Sequence, residues 1–133
     1  MASTDKKIRI LLTKSQIDGH DRGVRYLATK LREAGMEIIF TRYKIPEDIV
    51  SSAIQEDVDA IGISFSVGGH TVVTSKVMDL MKKAGIEETL VIVGGILPED
   101  DVPELLRLGV GKTFGPGSYA EDVAQFITGS VSR

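Results

Sequence analysis

Ala60-Ile61-Gly62-Ile63-Ser64, followed by Phe65-Ser66-Val67-Gly68-Gly69-His70, is the stretch on which the fold turns. Its first part is a short apolar run with no polar residue until Ser64, and its second part is a turn-forming loop. A strand that alternates apolar and polar residues has one face in water, whereas one that is apolar throughout is buried on both faces, as in a parallel sheet. The residues after the loop change period. Val73, Val77, Leu80 and Met81 align on one side of a helix.

The same unit recurs in both directions. Upstream, Ile8 to Thr13 reads as a strand, Asp21 to Ala34 as a helix with Val24, Leu27, Ala28 and Leu31 on one face and Gly35 as its stop, and Met36 to Thr41 as strand two. Pro46-Glu47-Asp48 then opens a helix, as proline and acids do in a first turn. Downstream, Leu90 to Val93 is strand four, Pro98 starts helix four and Lys112 to Phe114 is a short strand five. Ala120, Val123, Ala124 and Ile127 share one side of a last helix. Five strands alternating with five helices give an α/β fold, a doubly wound five-stranded parallel sheet. Right-handed crossovers and this size favour the flavodoxin-like strand order 2-1-3-4-5. The 133 residues make one domain, expected over 6–130.

Composition narrows the functions. Apolar residues are 42% and charged residues 26%, ordinary for a soluble globular chain. No stretch is long enough to span a bilayer and the first residues lack a secretory signal, so a cytoplasmic location is expected. The absence of cysteine removes disulfides and thiolate chemistry. A net charge of −3, scattered basic residues and 5% aromatics argue against a nucleic-acid surface.

Ligands of open parallel sheets sit at the carboxyl ends of the strands, where the strand order reverses. The unusual residues gather there: Lys14 through Gly23 after strand one, Ser64 through His70 after strand three, Gly94-Gly95 after strand four, and Gly115-Pro116-Gly117-Ser118 after strand five. The opposite edge carries ordinary connections such as Glu56-Asp57-Val58-Asp59. In Asp18-Gly19-His20-Asp21-Arg22-Gly23, an imidazole could ligate a metal with Asp18 holding its other nitrogen and Lys14 anchoring Asp18. Equally, the loop could be a polar connection with Asp21 capping the helix. His70 behind Gly68-Gly69 leaves open a two-histidine zinc or iron site with Asp18 or Asp21. Gly94-Gly95 reads as a place where something approaches the backbone closely, or as a tight turn. Ser118 is a candidate N-cap for the last helix. Other uses of the fold lack their residues. Ser64 stands where a receiver domain needs its aspartate, the first loop has no flavodoxin-type phosphate site, and G-x-G-x-x-G is missing.

Taken in order, D-x-H-x-x-G at Asp18 to Gly23, a serine motif after strand three and Gly-Gly after strand four resemble the cobalamin-binding domain of adenosylcobalamin-dependent mutases, a Rossmann-like domain. Ala53-Ile54-Gln55-Glu56-Asp57, Gly94-Gly95-Ile96-Leu97-Pro98 and Phe114-Gly115-Pro116-Gly117 are similar to the acyl-CoA mutase branch, whose members act on methylmalonyl-CoA, isobutyryl-CoA or 2-hydroxyisobutyryl-CoA. The resemblance runs from about Ile8 to Ile127. It implies that His20 replaces the cofactor's dimethylbenzimidazole as lower axial ligand of cobalt, with Asp18 polarising it and Lys14 beside Asp18. It further implies that the released nucleotide tail enters a slot lined by Ser64, Ser66, Gly68, Gly94 and Gly95, with Gly115, Gly117 and Ser118 nearby. Gly19, Asp21, Arg22 and Gly23 would complete the cofactor-binding loop. Such domains serve a radical 1,2-rearrangement of the acyl skeleton, for which a catalytic barrel of about 250 residues must cover the corrin. This chain has none, so the resemblance implies a small subunit, inactive alone, with a large barrel-type partner. One departure is Ser66, where the family's S-x-L motif has leucine. The alternatives are a stand-alone corrinoid carrier or sensor, and a non-corrinoid two-histidine metal protein.

Overall fold

The computed structural model describes residues 7–66, 68–115 and 118–131. Its elements are β1 Arg9–Ser15, α1 Arg22–Glu33, β2 Glu37–Tyr43, α2 Pro46–Glu56, β3 Ala60–Phe65, α3 His70–Ala84, β4 Leu90–Gly95, a 3-10 turn Glu99–Asp101 running into α4 Val102–Arg107, β5 Lys112–Phe114, and α5 Ala120–Ser130. All five strands are parallel, in the order β2-β1-β3-β4-β5. None of the described helices is long and apolar enough to cross a membrane.

Alternate residues of each strand feed two cores, one on either side of the sheet. Leu11, Ile61, Ile63, Val91 and Val93 pack with Ile49, Val77, Met81 and Leu105 of α2, α3 and α4. Ile10, Leu12, Ala60 and Ile92 pack with Val24, Ala28 and Leu31 of α1 and Val123 and Ile127 of α5. Continuously apolar strands are buried for this reason: each face has its own helical layer.

Several boundaries differ from the sequence reading by a residue or two, and three extensions matter. β1 continues through Lys14 and Ser15, β2 through Arg42 and Tyr43, and β4 through Gly94 and Gly95. Backbone pairing carries on past the last apolar residue, because the ladder needs only N–H and C=O groups. Residues expected in loops are thereby held at fixed places on the sheet. Pro98, expected to open helix four, instead precedes the 3-10 turn, and α4 proper begins at Val102 with Pro103 in its first turn.

Candidate functional site

Register sets out the site in one row. Arg42 pairs with Lys14, Lys14 with Ser64, Ser64 with Gly94, and Gly94 with Phe114, so these five residues cross all five strands at the carboxyl edge. Register partners in a parallel sheet share a face, here the one covered by α1 and α5. One row deeper lie Leu12, Gly62 and Ile92. Where the two rows are small, at Gly62, Ser64 and Gly94, a cavity of about 640 Å³ opens between sheet and helices. Leu27, Val123 and Phe114 wall it, and the mouth carries His20, Arg22, Gly115 and Ser118. This volume is in the range of small-molecule sites.

Gly62 was not singled out from sequence, yet it shapes the floor. A Cβ there would lie 2.7 Å from Leu12 Cδ2 and 3.5 Å from Ile92 Cγ1, so any side chain would grow into the cavity's apolar base. Its only sequence signal is a glycine inside an otherwise apolar strand. The two glycines of β4 have separate reasons. Gly94 keeps the row low, with Phe114 O 3.3 Å from the place of a Cβ. Gly95 has φ +113°, and a Cβ would fall 2.0 Å from Phe65 O. What approaches Gly95 is the protein's own neighbouring strand.

The first loop is built on buried charge. Lys14 and Asp18 have side chains 0% and 1% exposed. Lys14 Nζ donates to His20 O at 2.5 Å and to Asp21 Oδ1 at 2.8 Å, and lies 3.5 Å from Asp18 Oδ1. Lys14 therefore binds the loop as a whole, with Asp21 rather than Asp18 as its nearer carboxylate. Asp18 Oδ1 accepts from the His20 backbone N–H at 2.9 Å and lies 2.8 Å from His20 Nδ1. Burial works to raise the Asp18 carboxyl, but the His20 backbone and ring, the Lys14 ammonium and the Ser66 hydroxyl outweigh it and hold it at about 2. An ionised carboxylate can only accept, so the ring proton belongs on Nδ1 and the lone pair on Nε2. That imidazole is 70% exposed, and nothing among the described residues bonds Nε2. It is a metal-ready nitrogen with its supporting carboxylate already in place.

Asp21 does not cap α1 with its side chain. Its carboxylate is taken by Arg42 and Lys14, with Arg25 at 3.4 Å, and the Arg42 and Lys14 hydrogen bonds hold its pKa well below the usual range. Two strand-borne cations out-compete a backbone N–H for a carboxylate. Ser118 caps nothing either: α5 starts at Ala120 with Tyr119 before it and no side-chain cap. Gly68 and Asp18 stay out of the cavity lining, whereas Gly19, His20, Asp21, Arg22, Gly23, Ser64, Ser66, Gly94, Gly95, Gly115 and Ser118 belong to it. Gly117 lies outside the described residues.

The two histidines are put to different uses. His70 Nε2 lies 2.5 Å from Asp101 Oδ2, and the ring meets Phe65 edge-on at a centroid distance of 6.1 Å. It is absent from the cavity lining, its Nδ1 is buried without a partner, and the described residues contain no group of three metal-ligating side chains. The two-histidine metal site therefore has no geometric support: His20 lines the cavity, whereas His70 lies outside it, paired with Asp101.

A sheet with an apolar slot at its switch point and a supported imidazole at the mouth defines a doubly wound α/β domain with a ligand-sized cavity at its carboxyl edge. Residues 8–124 match the family model described as the B12 binding domain, and the chain belongs to that family. It is 42% identical over 96% of its length to the pivalyl-CoA mutase small subunit of Xanthobacter autotrophicus, covering 88% of that chain. To the 2-hydroxyisobutanoyl-CoA mutase small subunit of Aquincola tertiaricarbonis it is 43% identical over 77% of its length, covering 76% of that chain. At that identity and coverage its branch of the family is that of the acyl-CoA mutase small subunits. Among solved structures, a cobalamin-binding protein from Desulfitobacterium hafniense DCB-2 superposes with a TM-score of 0.79 at 21% identity, over 96% of this chain and 60% of that one, a likeness of fold.

Proposed function

We propose that this chain is the cofactor-binding small subunit of an adenosylcobalamin-dependent acyl-CoA mutase and that it presents His20 to cobalt as the lower axial ligand. The observation that carries this reading is a carboxylate-backed imidazole, its side chain 70% exposed and its Nε2 without a partner among the described residues, lining a 640 Å³ slot. A base-off corrinoid needs both at once: an imidazole to replace the base and a place for the base to go. The residues fit the group. Gly62, Ser64 and Gly94 leave the slot its depth, while Leu12, Ile92, Phe114 and Val123 give it apolar walls for an aromatic base.

When bound, adenosylcobalamin supplies a cobalt–carbon bond that breaks homolytically, and that chemistry is the cofactor's own. This chain binds and orients. Asp18 fixes the tautomer of His20, and Lys14 neutralises the buried carboxylate. The acyl-CoA site and the exclusion of water from a radical belong to a larger catalytic subunit, expected to be a barrel, docked over that edge. Relatives at 42% and 43% identity carry different acyl-CoA names, which suits a chain whose work is the cofactor and not the substrate.

The test is reconstitution. With adenosylcobalamin and an acyl-CoA panel, the purified chain alone is expected to bind cofactor and show no turnover, and turnover is expected once a large mutase subunit is added. Robust isomerisation by the chain alone, or failure to bind any corrinoid, would overturn the reading.

A further inference from the structure

Arg42 lies outside the histidine motif, in β2, in register with Lys14 and on the face that bears the cavity. Its guanidinium pairs with Asp21 Oδ2, and its Nη1 lies 3.4 Å from the carbonyl oxygen of Asp18. These acceptors bracket His20, one two residues before it and the other directly after. Lys14 holds the opposite oxygen of the same Asp21 carboxylate at 2.8 Å. Gly19 to Asp21 belong to no helix or strand, so cations on two adjacent strands do what a hydrogen-bond ladder would otherwise do. The guanidinium also sits 5.5 Å from the ring centroid of Phe40, two residues earlier on the same strand, which restricts its swing.

A metal ligand has to be held within about 0.5 Å and 10–20° of its productive geometry. His20 is too exposed to be held by packing, so its direction comes from the Asp18 contact to Nδ1 and from the backbone that carries both residues. We propose that Arg42 is a positioning residue for His20: by tying both flanks of the histidine to β2, it sets the height and direction at which the imidazole leaves the sheet edge. The proposal rests on the reading of His20 as cobalt ligand. A planar fork with several donors can serve a carboxylate and a carbonyl together, whereas an ammonium acts as a point charge. Arginine is thus the residue this geometry requires, and lysine is a partial substitute.

Two variants and two readouts test it. Arg42→Met keeps a stem over Phe40 and removes every donor; Arg42→Lys keeps the charge and loses the fork. In the apo protein, amide exchange at His20, whose N–H donates to Asp18 Oδ1 at 2.9 Å, is expected to quicken about ten-fold or more in Arg42→Met, with β3 and β4 amides unchanged and Arg42→Lys intermediate. In the complex with cob(II)alamin, Arg42→Met is expected to weaken the imidazole-nitrogen splitting in the electron paramagnetic resonance spectrum and to raise Kd about ten-fold. The proposal is overturned if Arg42→Met leaves both exchange and Kd within about two-fold of wild type. It is also overturned if exchange quickens evenly across the sheet, the mark of a general stability role. Should the wild type bind cobalamin without any imidazole splitting, the ligand reading fails by itself, and the apo exchange still decides the clamp in either direction.

Discussion

Replacing Ser64 by leucine separates the slot from the rest of the site. Ser64 sits mid-row between Lys14 and Gly94, and its side chain faces a space walled by Leu12, Ile92, Phe114 and Val123. In the apo protein a leucine there moves from water into an apolar cavity. Full burial of such a side chain is worth about 1.5–3 kcal/mol, with the lower end fitting a cavity that stays open at its mouth. The apo variant should therefore melt at or above the wild-type temperature. A ligand base entering the slot must drive that leucine out again, so the same 1.5–3 kcal/mol returns as roughly ten- to hundred-fold weaker cobalamin binding before any clash is counted. A corrinoid that lacks the nucleotide makes no demand on the slot and should bind both proteins alike. Titrations of wild type and Ser64→Leu with cobalamin and with cobinamide, followed by visible absorbance, give all four constants. Equal losses for the two ligands, or none for cobalamin, would refute the assignment of the cavity to the nucleotide tail.

Other consequences are simpler. Gly95→Ala forces a Cβ to within 2.0 Å of Phe65 O at φ +113°, and should cost about 3 kcal/mol or more in urea unfolding. His70→Ala removes a bond to Asp101 but also an orphaned buried Nδ1, so it should cost only about 1–2 kcal/mol and leave the cobalt ligation spectrum unchanged; loss of that spectrum would contradict the separation of the two histidines. The Asp18 carboxyl is lowered from 3.8 to about 2, which marks a stabilising contribution present in full above about pH 4 and lost as pH falls through about 2. At about 1.36 kcal/mol per unit this is of the order of 2 kcal/mol. Asp18→Asn should flatten the acid limb of the stability–pH curve by that amount, and an unchanged limb would count against the buried carboxylate.

What could be read in the sequence was whatever depends on neighbours along the chain. The strand–helix alternation, the strand order and the location of the site at the carboxyl edge followed from apolar runs such as Ala60 to Ile63 and from the glycines and histidines behind them. The Asp18–His20 contact was legible because two residues and a glycine bring it about locally. What was not legible depends on register. Arg42 meets Asp21 across 21 positions of sequence, and only the pairing of β2 with β1 shows that they are neighbours. Asp21 looked like a helix cap because its competitors lie on other strands. Gly62 looked like a small member of an apolar run until Leu12 and Ile92 were seen on either side of it. Gly95 pointed to a close approach correctly, and within the chain the approaching group is Phe65 O.

The most direct measurement uses isotopes of nitrogen. Protein labelled with ¹⁵N at its histidines is loaded with unlabelled cob(II)alamin, and the splitting from the axial nitrogen is recorded by electron paramagnetic resonance, with His20→Ala alongside. A ligand from His20 Nε2 turns the natural-abundance triplet into a doublet, and the doublet disappears in His20→Ala. A triplet that survives labelling would mean that the cofactor keeps its own base on the metal, and the account of both His20 and the slot beneath it would be wrong.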